Sequence, residues 1–184
     1  EAGLRSGDRT MPEEINRILT DQISDVLFTT ERKALDNLVR EGIDPQRIHF
    51  VGNVMIDSLR YNLVNAVLPA HIFSSHCSKN QSSRFNKSYG VVTLHRPSNV
   101  DDPEVLKRLL TVLREISDKL PLVFPVHPRT RQSIDNAGLG NLVSGPQCLV
   151  LPPLGYREML GLMKEAKLVL TDSGGMQEET TALG

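Results

Sequence analysis

The chain has 184 residues, a formal net charge of -1 and 23% charged residues, so it has no basic surplus to draw it onto nucleic acid or an anionic lipid surface. No apolar run approaches the roughly 20 residues that a membrane-spanning helix needs, and the first residues show no signal-peptide pattern. The two cysteines, Cys77 and Cys148, lie far apart without a Cys-x-x-Cys, which argues against a disulfide framework or a zinc site and makes a reducing cytoplasm the expected compartment. The chain opens on Glu1-Ala2-Gly3-Leu4-Arg5 and closes where a helix would hand over to a strand, which reads as an internal piece of a longer protein.

From Pro12 to Ile23, apolar residues recur at helical spacing behind a proline suited to a first turn, and a helix is predicted. Thr10-Met11-Pro12-Glu13 reads as a capping box, and Glu13 with Arg17 as an i,i+4 pair. A short strand is predicted at Val26–Phe28, then a helix opened by a Thr30 cap and closed at Gly42. Ile48–Val51 is the next strand. Val54 to about Ala66 is helical, with Met55, Leu59, Leu63 and Val67 on one face. From 68 to 88 the composition turns to Ser, Asn, Lys and His without clear periodicity, as in a polar linker or insertion between an N-terminal part (1–67) and a second domain (89–184).

Beyond it the alternation restarts. Strands are predicted at Gly90–Leu94, Leu122–Pro125, Cys148–Leu151 and Leu168–Thr171. Helices are predicted at Pro103 to about Asp118, Arg129–Asn136 and Tyr156–Glu165, with a final one after Gly175. Apolar strands alternating with amphipathic helices predict an α/β fold with parallel sheets and helices on both faces, the second half a Rossmann-like unit and the first half the latter portion of another.

Ligands of such sheets sit at the carboxyl ends of the strands. Three polar turns fall there. His95-Arg96 follows one strand, His127 another, and Asp172-Ser173-Gly174-Gly175 the last. The Ser-Gly-Gly turn opening a helix is an anion site in form, because first-turn N–H groups and the helix dipole favour a phosphate and the glycines permit its close approach. Its alternative is a serine N-cap with glycines that allow tight packing. His95 and Arg96 suit a phosphate, and His127 shares their strand-end position. No clustered carboxylate or cysteine accompanies these histidines, so no metal is expected. Glu1 and Glu13 are the candidate acid/base carboxylates.

Taken in order, Glu1-Ala-Gly-Leu-Arg-Ser6, Met11-Pro-Glu-Glu-Ile-Asn-Arg17, Gly52-Asn53 with Asp57, Val92-Thr-Leu-His-Arg-Pro97, Pro125-Val-His-Pro128 and Thr171-Asp-Ser-Gly-Gly-Met-Gln-Glu-Glu179 resemble the UDP-N-acetylglucosamine 2-epimerases. The resemblance implies two Rossmann-like domains of the glycosyltransferase-B type, no cofactor, no metal, a UDP-sugar substrate and a homodimer. It implies inversion at C2 by elimination and re-addition of UDP, supplying mannosamine-type precursors for surface polysaccharides. Matched residue by residue, Glu1 and Glu13 fall on catalytic carboxylates and His95 on the histidine that meets the diphosphate. Ser173 and Gly174 fall on the diphosphate-gripping turn, and Glu179 on the ribose-binding acid. Arg96, His127 and Gly175 are carried as substrate-binding candidates. A third family carboxylate lies upstream of Glu1 and further segments lie outside both ends, so the 184 residues alone are expected to be inactive. A hydrolysing epimerase that releases N-acetylmannosamine, a glycosyltransferase of the same fold and a non-catalytic sugar-nucleotide-binding module stay open as alternatives.

Overall fold

The structure is a computed structural model that describes the backbone of residues 1–184 and all side chains except those of 79–81. It divides into two compact units, Glu1–Ser58 and Leu59–Gly184.

The first unit is built on a β-α-β repeat. Helix α1 (Pro12–Ile23) precedes strand β1 (Leu27–Thr29), helix α2 (Arg32–Arg40) and strand β2 (Ile48–Phe50), and the strands pair in parallel with Leu27 opposite Ile48. Leu27, Leu38, Ile43 and Ile48 form its core. Gly42 ends α2 at a φ of 85°, as its place after the periodic stretch predicts. The cap of α2 is Glu31 rather than Thr30, and its side chain makes no capping bond.

Helix α3 (Val54–Leu63) carries the division between the units. The second unit continues with α4 (Pro69–His76), α5 (Lys79–Phe85), β3 (Gly90–Thr93), α6 (Pro97–Val100), α7 (Pro103–Ser117), β4 (Leu122–Pro125) and α8 (Pro128–Asn136). It ends with α9 (Gly140–Val143), β5 (Cys148–Leu151), α10 (Tyr156–Glu165), β6 (Leu168–Thr171) and α11 (Gly174–Leu183). The sheet is parallel throughout, in the order β5-β4-β3-β6.

Neighbouring residues on one strand feed different cores. Val91 and Val123 join Leu149, Leu151 and Leu162 on one face, whereas Val92, Leu122 and Phe124 join Leu106, Leu110 and Ile134 on the other. Burial on both faces is why these strands read as continuous apolar runs. Asp102 caps α7 by accepting from the N–H groups of Glu104 and Val105, at 2.8 and 3.3 Å, ahead of a first-turn proline.

Residues 68–88 depart from the expected polar linker. They form α4 and α5, and Ile72, Phe73 and Phe85 lie in the core with Tyr89. Phe73 meets Tyr89 edge-on at 5.4 Å and Phe85 at 5.7 Å, while the Tyr89 hydroxyl donates to the Leu162 carbonyl at 2.9 Å. A few aromatic anchors hold the segment, and they are too few and too unevenly spaced to register as a period. The compact units accordingly part at Ser58/Leu59, ahead of this segment.

Just before it, the N–H of Val67 donates to the carbonyl of Arg157 at 3.0 Å, and a Cβ on Gly161 would stand 1.8 Å from the carbonyl oxygen of Val67. Helix α10 and this turn touch backbone to backbone. Gly161→Ala is therefore expected to lower the unfolding free energy by about 3 kcal/mol, the upper end for forcing a methyl into a packed interior, as measured by urea denaturation.

Candidate active site

The second unit brings four strand ends to one edge, where a cleft of about 270 Å³ is lined by residues that include Thr93, His95, His127, Leu154, Met159, Ser173 and Met176. From β3 the chain proceeds through α7 to β4 on one side, while β6 pairs on the other side. This reversal is the topological switch point at which open α/β sheets bind ligands.

The residue that organises the cleft is Asp172, at the end of β6. Its side chain is only 8% exposed, and it accepts hydrogen bonds from the His95 N–H at 3.0 Å, the Arg96 N–H at 2.9 Å and the Asn99 amide at 3.0 Å. The His95 ring closes the set with Nδ1 at 2.7 Å from Oδ1. Arg96 returns the grip, its Nε donating to the Asp172 carbonyl at 2.7 Å. Burial pushes the Asp172 carboxyl up, but the bonds from Arg96, His95 and Asn99 and the charge of His95 outweigh it and hold the group below the usual carboxylate range. With Nδ1 engaged, Nε2 is the nitrogen His95 has free for a ligand. The Thr130 hydroxyl, fully buried on α8, steadies the same loop by donating to the Leu94 carbonyl.

His127 stands beside His95, with ring centroids 6.1 Å apart. It caps α8, and its Nδ1 accepts the Arg129 N–H at 3.3 Å, so the neutral ring carries its proton on Nε2. Ser173 caps α11 by a long bond of 3.4 Å from the Met176 N–H. Packing does not account for the first glycine, because a Cβ on Gly174 would meet nothing within 4 Å. Gly174 and Gly175 occupy the first turn of α11, where helix N–H groups lack intrahelical partners. Glu179, farther along α11, is buried and accepts from the Tyr156 hydroxyl at 2.9 Å. Burial above all, then this bond and the Glu179 charge, push the Tyr156 phenol up to about 12.

Glu1 and Glu13 belong to the first unit. The segment that carries Glu1 is bolted to α1 and to the end of α2. Arg5 reaches Glu41 through Nε at 2.8 Å and Nη2 at 2.7 Å and meets Asp21 at 2.7 Å, while the Gly3 N–H donates to Asp21 at 3.0 Å. Glu1 itself stays 72% exposed in its side chain, 3.6 Å from Arg17.

The expected capping box and Glu13–Arg17 pair do not form. Met11 is the N-cap without a side-chain bond, the Thr10 hydroxyl turns to Asp8 at 2.7 Å, and Arg17 pairs with Glu14 at 2.8 Å. Glu14, buried, also accepts from the N–H groups of Ser6 and Gly7 at 2.9 and 2.8 Å. Of two adjacent acids one is committed to structure, and Glu13 is left exposed on the helix.

A family model for UDP-N-acetylglucosamine 2-epimerase matches residues 1–184. The chain belongs to the UDP-N-acetylglucosamine 2-epimerase family. It is 43% identical to the UDP-N-acetylglucosamine 2-epimerase of Methanococcus maripaludis over all of its own length and 50% of that protein's. It is also 43% identical to the UDP-2,3-diacetamido-2,3-dideoxy-D-glucuronate 2-epimerase of Pseudomonas aeruginosa, over all of this chain and 48% of that one. Among solved structures, the Methanocaldococcus jannaschii UDP-GlcNAc 2-epimerase in complex with UDP-GlcNAc and UDP superposes with a TM-score of 0.75 at 40% identity, covering 100% of this chain and 50% of that chain. The chain spans about half the length of the curated relatives it matches. The parallel sheet and flanking helices of the second unit thus belong to a fold of the glycosyltransferase-B type.

Asp172 and Tyr156 beside the cleft of the second unit, and Glu14 in the first unit, are residues whose roles sequence reasoning missed. Asp172 lay in plain sight within the Thr171–Glu179 motif, but its partners come from a loop more than seventy residues earlier. Replacing it by Asn leaves the His95–Arg96 loop with an incomplete acceptor and is expected to cost about 1–3 kcal/mol of stability, read by urea denaturation.

Glu14 sets an acid limit. Its bond from Arg17 and those from the Ser6 and Gly7 N–H groups, against the upward push of burial, hold the carboxyl down to about 2 from an ordinary 4.5. The stability it lends is complete above pH 4.5 and is lost as pH falls toward 2. Glu14→Gln is expected to flatten the fall of stability with pH across that window, as followed by thermal denaturation at stepped pH.

Proposed function

We propose that this protein interconverts UDP-N-acetylglucosamine and UDP-N-acetylmannosamine by inverting C2. Support comes from family membership over residues 1–184 and from the cleft at the β3–β6 switch point, where the His95–Asp172 pair stands beside a helix N-terminus whose first glycine leaves open space. One feature carries the reading: that cleft offers the His95 ring, with Arg96 next to it in the chain, together with the first-turn N–H groups of α11, and donors of this kind are what a departing diphosphate requires.

In this reading a carboxylate of the Glu1–Glu13 pair removes the C2 proton while the C1–O bond breaks. Its electron pair leaves on the β-phosphate of UDP. The C1–C2 double bond so formed is the 2-acetamidoglucal. The UDP oxygen then re-attacks C1 and the other carboxylate delivers a proton to the opposite face of C2. His95 and Arg96 meet the charge growing on UDP, Ser173, Gly174 and Gly175 receive the diphosphate, Glu179 takes the ribose, and His127 borders the same cleft. The exposed carboxylates of Glu1 and Glu13 fit proton transfer, since neither is locked into a buried network as Glu14 is.

A second substrate is favoured by the equal identity to the diacetamido-glucuronate enzyme. Both reactions invert C2 of a UDP-linked 2-acetamido sugar, so the substituents at C3 and C6 decide between them. The two unbridged thiols, Cys77 and Cys148, fit a reducing cytoplasm, and light scattering checks the homodimer that the family resemblance implies.

Proton NMR in deuterated water, with a full-length family protein that carries this chain, tests the proposal. UDP-N-acetylglucosamine is expected to gain deuterium at C2 as UDP-N-acetylmannosamine accumulates. Glu1→Gln and Glu13→Gln should each slow the exchange by about 100-fold or more. Free N-acetylmannosamine as the only product would move the assignment to the hydrolysing class, exchange only with the diacetamido-glucuronate would reassign the sugar, and binding of UDP with no exchange would overturn the enzyme reading.

A further inference from the structure

Tyr156, we propose, is a positioning residue that holds the carboxylate of Glu179 in the plane needed to grip both hydroxyls of a ribose, and so makes the cleft selective for ribonucleotides over deoxyribonucleotides. This rests on the reading above, in which Glu179 takes the nucleotide sugar.

Tyr156 is the first residue of α10, 44% exposed, and belongs to none of the apolar cores among the described residues. Packing therefore does not account for the ring. Its recorded polar contact is the hydroxyl donated to Oε1 of Glu179 at 2.9 Å. Both residues sit one helical turn from the cleft wall: Met159 follows Tyr156 by three positions on α10, Met176 precedes Glu179 by three on α11, and both methionines line the cleft. Residues three apart share a helix face, so the phenol–carboxylate pair borders the methionine edge of the cleft. The start of α10 is itself fixed, because the Glu158 carboxylate accepts the Gly155 N–H at 2.8 Å.

The terminal torsion of a glutamate is broad, so an unanchored carboxylate presents its oxygens in many directions. A phenol bonded to Oε1 removes that freedom and leaves Oε2 and the second lone pair of Oε1 as acceptors in one plane. Two vicinal hydroxyls require two acceptors at fixed spacing, whereas one hydroxyl can be met by a carboxylate at almost any angle. The anchored form therefore rewards the second hydroxyl, and a ligand that lacks it leaves a buried acceptor unpaired.

The test is calorimetric titration of the protein, and of Tyr156→Phe, with UDP, 2′-deoxy-UDP and inorganic diphosphate. The parent protein is expected to bind UDP about tenfold more tightly than 2′-deoxy-UDP. Tyr156→Phe should bring the two within about twofold by weakening UDP alone, leaving diphosphate affinity and thermal stability unmoved. Full discrimination retained in Tyr156→Phe overturns the proposal and leaves Glu179 as the ribose acid. No discrimination in the parent protein, or no UDP binding, overturns the assignment of Glu179 and the proposal with it. Equal loss for UDP, 2′-deoxy-UDP and diphosphate would mean that Tyr156 supports the fold of the cleft rather than the sugar, and also overturns it.

Discussion

With its side chain almost wholly out of water, the carboxylate of Asp172 has to find its hydrogen bonds inside the protein, and it finds them in the loop that leaves the neighbouring strand. A buried charge without partners is costly, and here the partners are backbone N–H groups as well as side chains, so the loop is fixed in position and not merely attracted. Everything the cleft offers an anion follows from this. The His95 ring is turned so that Nδ1 is occupied, Arg96 is tied at Nε, and the Ser173 turn begins at the next residue. Parallel pairing of β3 with β6, from Gly90–Leu168 to Thr93–Thr171, brings the two strand ends level, so a short carboxylate spans the gap.

The first unit applies the same physics to a different end. Arg5 binds acids from α1 and from the turn after α2, and Glu14 accepts from the backbone of the segment between Glu1 and α1. Charges that would be mobile at a surface become part of the scaffold, and the remaining acids, Glu1 and Glu13, are left to the solvent. Buried structural and solvent-facing carboxylates thus stand side by side in sequence, separated by the 100° that one helical residue turns.

How much of this was legible follows from where the information lies. Strands β4, β5 and β6 have the bounds their apolar runs suggest, because apolar packing on both faces, complete for β4 and partial for β5 and β6, writes itself into consecutive residues. The one-turn helices α6 and α9 are too short to show a period, and the aromatic anchors of 68–88 are hidden among polar neighbours. The glycine turn and the two histidines could be found because each sits next to a recognisable strand. The role of Asp172 could not, since nothing in a single sequence states which two loops become neighbours. The pairing of Arg17 failed for a simpler reason: acids at i-3 and i-4 fit the same arithmetic, and only the burial of one face decides between them.

Two glycines of the second unit lack side chains for opposite reasons. Gly161 excludes a methyl group because the chain's own backbone already fills the place, whereas Gly174 leaves that place empty. The first is a requirement of folding. The second touches nothing inside the protein, so a side chain placed there would leave the fold as it is and, on the proposed reading, would gauge how closely a diphosphate comes to the start of α11.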